Sequence, residues 1–192
     1  MIRVDRSPGK PRREHAASGR REGEIRMLTR DKLTVVQWRA VRNTPHHVII
    51  AVSASGGSPF DEMLERAAGL QGIVSALNST HPLLQEIAVS THIMQAQDEI
   101  RSWYYTLEET HRHPVRLQEK ALESMQHALD ALRTHGGPED LLHYGDFVMS
   151  IAMRVARAAR EGDVFGIGGE LVSRAERQFI EQLENLAQTR RA

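Results

Sequence analysis

The sequence predicts an all-α fold: a single bundle of about six helices, with two related helix pairs flanking a longer central hairpin. Three observations carry this. Aromatic residues make up only 5% of the chain while Ala, Leu, Glu, Arg and Gln abound, a composition that favours helix over sheet. From Thr29 onward, apolar residues recur at steps of three and four, the period of a buried helical face. The segments between these runs hold Pro, Gly, Ser and Asn, the residues that stop and cap helices.

In the opening segment, residues 1–26, Pro, Gly, Ser and Arg are frequent and no apolar period is present. It cannot bury enough surface to offset the entropy of ordering, so a disordered basic tail is expected there, with the helical domain spanning 27–192. The stretch MLTRDKLT at Met27 also reads like a natural start, which would make the tail upstream sequence. The helical part begins with Trp38, Val41, Pro45, Val48 and Val52 on one face. Pro45 lies inside that face, and its missing backbone donor predicts a kink or break near Asn43 to Pro45. Ser58 and Pro59 suit an N-cap and first helical position, with Asp61 three residues after the cap, opening a helix to about Leu77.

Pro82 is expected to start one long helix through Leu84, Ile87, Met94, Ile100, Trp103 and Leu107. Leu117, Ala121, Leu122, Met125, Leu129 and Leu132 then form an apolar stripe that ends at HGGP. After Pro138 a helix carries Leu141, Tyr144, Val148, Ile151 and Val155. The last helix opens with Ser173 and Glu176 as a capping box and continues through Phe179, Ile180, Leu183 and Leu186 to about Gln188.

The apolar positions from Trp38 to Val52 match those from Leu141 to Val155 at a constant offset of 103. Each set is followed by a glycine-containing break, then by a serine with an acid three residues later. This pattern reads as a degenerate repeat of two helix pairs. It also explains GDVFGIGGELVS: phosphate-cradling glycine loops follow a strand, whereas this one follows the helical SIAMRVARAARE and lacks the Gly-Lys-Ser/Thr of a P-loop. Gly162 is read as a helix C-cap and the remaining glycines as a connector.

The stretches AVSASGGSPFDE and ARAAREGDVFGIGGELVSRAE resemble the two breaks of TerB-like helical domains, a family linked to tellurite resistance and stress response. In that family an alanine-rich helix leads to an Asp-Gly turn and then to a helix with an acid near its start, twice per domain. The resemblance covers under a quarter of the chain, and Ser55-Gly56 and Glu161-Gly162 stand where Asp-Gly is expected. It implies divalent metal binding at these turns, for which Asp61, Glu62, Asp163 and Glu176 are the acids available.

Independently of the resemblance, EETHRHP offers His111 and His113, and Glu108 with His111 has the Glu-x-x-His spacing of di-iron bundles. Such a site needs a second copy of the motif, which the chain lacks, so an exposed interhelical turn is expected. His46, His47 and His92 are read as packing histidines.

The absence of cysteine excludes disulfides, thiolate metal sites and a cysteine nucleophile, and fits a cytoplasmic protein. The longest apolar run, VIIAV at Val48, is far short of the roughly 20 residues that span a bilayer. Formal charge is balanced, but residues 1–26 hold eight Lys or Arg against four Asp or Glu, which leaves the remainder net acidic by four. Nucleic-acid binding is therefore expected only through Arg12, Arg13, Arg20 and Arg21 in the tail. No nucleophile motif of the G-x-S-x-G type is present. The expectation is a non-enzymatic accessory or stress-associated module that binds a protein partner or a second copy of itself. The alternative is a metal-binding or metal-dependent protein using Asp, Glu and His at the interhelical turns.

Overall fold

The computed structural model describes residues 27–54, 59–106, 113–161 and 174–189. These form seven α-helices and two short 3-10 turns, with no strand among the described residues. The helices are α1 (Val35–Ser53), α2 (Pro59–Ser75), α3 (Pro82–Ile87), α4 (Ser90–Thr106), α5 (Pro114–His135), α6 (Pro138–Glu161) and α7 (Arg174–Thr189). Among the described residues, no helix is long and apolar enough to cross a membrane.

The middle of the bundle is α1, which packs most extensively on α5 and also touches α2, α4 and α6. Its start is set by a capping box, in which the Thr34 hydroxyl accepts from the Gln37 N–H and the Gln37 side chain accepts from the Thr34 N–H. The break expected near Pro45 does not occur: α1 runs on from Val35 to Ser53 with Pro45 inside it. The reason lies on another helix. Pro45 has no N–H to offer the carbonyl four residues back, that of Val41, and the buried Tyr144 hydroxyl of α6 donates to that oxygen instead at 2.8 Å. One turn along, the Thr44 hydroxyl donates to the Ala40 carbonyl at 2.7 Å.

The long helix expected from Pro82 is two helices, which brings the described total to seven rather than about six. The Glu86 carbonyl would accept the Ser90 N–H in an unbroken helix. It is bonded instead by the Val89 N–H at 3.3 Å and by the His92 ring Nδ1 at 2.8 Å, so a buried imidazole replaces the helical donor and the chain turns. The central hairpin is also looser than expected, because α4 and α5 each pack chiefly on α1.

The helix pairs α1–α2 and α6–α7 each pack internally, and α1 and α6 lie against each other. Their surroundings differ: α2 packs on α6, whereas α7 adds contacts to α5. Most of the predicted apolar positions are buried, including Val41, Val48 and Val52 of α1, Leu117, Met125 and Leu129 of α5, and Tyr144, Ile151 and Val155 of α6, whereas Met94 of α4 is exposed. One continuous core extends from Leu28 to Ala187. Gly69 lets α2 sink into it, since a Cβ there would lie 2.5 Å from Ile49 Cγ1 and 2.8 Å from Val155 Cγ2.

Candidate functional site

Most of the unusual chemistry gathers on α2. Its inward stripe runs Glu65, Gly69, Gly72, Ile73 and, in the following turn, Ala76, all buried. Glu65 is fully buried, and neither of its carboxylate oxygens has a hydrogen-bond partner. Burial is the main cause that pushes its carboxyl up to about 7, reinforced by the charges of Glu176, Asp61 and Glu62 and opposed by Arg66. Glu176, on the first turn of α7, is itself buried.

Asp61, Glu62 and Glu176 are thus brought into electrostatic range of Glu65. Glu62 is also ion-paired with Arg66, whose guanidinium donates to the Ser53 hydroxyl as well. No group of three or more His, Asp or Glu side chains has the spacing of a metal site among the described residues. His113 is exposed and works as the N-cap of α5, its Nδ1 accepting from the Val115 N–H at 3.4 Å. His111, Asp163, Glu108, Glu109 and Ser173 lie outside the described residues, as do the tail arginines Arg12, Arg13, Arg20 and Arg21. Glu65 itself escaped the sequence reading, which sought acids at the breaks. Its signal was a charged residue in register with Gly69, Gly72, Ile73 and Ala76 on a buried face.

The outer side of α2 is apolar too. Phe60, Met63, Ala67, Leu70, Val74 and Leu77 alternate steps of three and four, the a and d spacing of a helix-pairing seam. Phe60 is 60% exposed, Met63 58%, Val74 47% and Leu77 49%. No charged residue interrupts the stripe, and Leu64, Gln71 and Asn78 border it on one side. The amphipathic reading of α2 missed this because each face, taken alone, satisfies the helical period.

Elsewhere buried polar groups link distant parts of the chain. His81 and Asp140 are both buried, with His81 Nε2 2.8 Å from Asp140 Oδ1. The same carboxylate accepts the Leu28 N–H at 2.8 Å and the Gly137 N–H at 2.7 Å, tying the chain entry to the α5–α6 turn. His81 Nδ1 is buried without a partner, so this imidazole offers no nitrogen to solvent, and burial lowers its proton affinity despite Asp140.

A serine–histidine contact that the sequence did not reveal joins Ser124 Oγ to His47 Nδ1 at 3.0 Å. Ser124 is buried and also meets the Thr44 hydroxyl at 2.9 Å, so the group cross-links α1 to α5. Burial, first, and the neighbouring charges hold His46 down to about 3 and His47 down to about 4, so both are neutral. With His92 edge-on to Trp38 and His47 edge-on to Trp103, the three act in packing, as their positions predicted.

No protein-family model, curated protein or solved structure matches the chain.

Proposed function

We propose that the protein is a non-enzymatic helical interaction module that docks a second copy of itself through the outer face of α2. The observation that carries this reading is the exposed, uncharged apolar seam from Phe60 to Leu77 on a helix whose inner face is already buried. A monomer would leave this seam in water, and burying it returns about 25 cal/mol per Å2 of apolar area. An uncharged seam carries no sign preference to specify a differently charged partner, and an isologous pairing of two α2 helices matches apolar residues to themselves. The 17 residues of α2 span roughly 26 Å. Such a helix pair buries less than the standard ~1,600 Å2 interface, so the dimer is expected to be concentration-dependent.

Light scattering on purified protein across a dilution series tests this. Dimer at high concentration that is lost in Val74→Asp and Met63→Asp supports the reading, and a monomer throughout overturns it. Cysteine-free composition favours a cytoplasmic setting for such a module. The stress-associated role implied by the TerB-like breaks belongs to the same reading.

A second reading, divalent metal binding, is favoured by Glu65 with its two unpartnered buried oxygens beside Asp61, Glu62 and Glu176. An all-carboxylate donor set suits a hard cation such as calcium, magnesium or manganese. Elemental analysis of natively purified protein decides it: a stoichiometric metal that disappears in Glu65→Met supports this reading, and none in the wild type removes it.

A further inference from the structure

A recess lies between α1, α2 and α4, sharing Leu70 with the α2 seam and Arg66 with the surroundings of Glu65. It is a cavity of about 200 Å3. Ile49 and Ile100, both buried, give it an apolar wall to which Ile50 and Leu70 contribute. Among the described residues its charged lining is Arg66 from α2 and Arg101 from α4, with no Asp or Glu. Arg66 is held by Glu62 and Ser53, which fixes the position of its guanidinium. Arg101 is loosely paired with Asp98 at 4.0 Å, and both side chains are largely exposed, so its donors can be redirected at little cost. Gln97 and Tyr104 supply further polar groups, and the His46 ring, whose Nε2 is buried without a partner, adds to the polar lining.

From this arrangement we infer that the cavity is a binding site for a small monocarboxylate with an aliphatic or aromatic body. Two guanidinium groups, one from α2 and one from α4, line the cavity and offer charge-assisted donors suited to a carboxylate, and the isoleucine wall takes the apolar remainder. The cavity is smaller than the ~300–1,000 Å3 typical of drug-sized ligands, which confines the body to a short chain or a single ring. Inorganic phosphate would meet the same guanidinium groups but leave the isoleucine wall unfilled, so the carboxylate is favoured. The neutral state of His46 fits this assignment, since burial keeps it from adding a third positive charge beside the ligand.

The test is titration calorimetry of the full chain with hexanoate, benzoate, acetate, hexanol and inorganic phosphate. Hexanoate or benzoate should bind, while acetate, lacking the body, and hexanol, lacking the charge, should bind at least about tenfold more weakly. Arg101→Met should weaken the carboxylate by about tenfold or more. The exposed position of Arg101 protects the fold, which circular dichroism on the variant checks. Ile50→Asp should abolish binding, and Val74→Asp on the α2 seam should leave it unchanged. Equal binding of hexanol and hexanoate, phosphate binding as tightly as hexanoate, or no carboxylate binding up to about 10 mM would each overturn the assignment.

Discussion

Asp140 and Glu65 are both buried carboxylates on helices of one bundle, yet their surroundings are opposite. Asp140 accepts two backbone N–H groups and faces His81 Nε2, each within hydrogen-bond distance. Glu65 has no partner on either oxygen and sits among three further acids. The first arrangement is what a buried charge requires if it is to hold a fold together; the second costs stability whenever the group ionises. A fold retains such a group at a cost.

The comparison can be broken most severely at Asp140. Asp140→Ala leaves the Leu28 and Gly137 N–H groups and His81 without their acceptor, and is expected to destabilise the protein by about 3–5 kcal/mol in urea titrations. Tyr144→Phe is the next largest. It takes the donor from the Val41 carbonyl that Pro45 leaves open, and should cost about 1–3 kcal/mol while loosening the middle of α1 in hydrogen exchange.

Glu65→Met should go the other way, raising stability by about 1–2 kcal/mol at pH 8 in metal-free buffer, with a smaller gain at pH 5. The sign follows from proton binding. The folded chain holds the Glu65 proton up to about 7, whereas the carboxyl ordinarily titrates near 4.5, so this group lowers stability as pH rises through that window. His46 and His47 give the opposite slope. Burial keeps them neutral when folded, so their contribution is lost as pH falls below their ordinary 6.5. Subtracting the Glu65→Met profile from the wild-type profile isolates the carboxylate. A difference that does not change between pH 5 and pH 8 would overturn this account of Glu65. The smallest effect on stability belongs to Val74→Asp on the outer seam, within about 0.5 kcal/mol, although it should abolish self-association.

Much of the architecture could be read before any coordinates. Apolar residues three and four apart, proline at the first turns of α2, α3, α5 and α6, and glycine after α5 are local signals that act within a turn or two, so each helix with its buried face is legible in a short window of residues. Asp61 and Glu176 could be placed at helix starts from their spacing to Ser58 and Ser173, and the resemblance named Glu62 beside them; all three lie within electrostatic range of Glu65.

What tertiary contact decided is where a local rule was overridden by a partner far along the chain. Pro45 should have broken α1, and the hydroxyl of Tyr144, 103 residues away, kept it whole. Glu86 and His92 divided a helix that periodicity ran straight through. Glu65 and Asp140 are both acids on helices, and nothing in their immediate neighbours says that one is given donors and the other none. That difference depends on which backbone and side-chain groups the folded chain places beside each carboxylate. Such groups come from distant segments, and no periodicity within a helix encodes them.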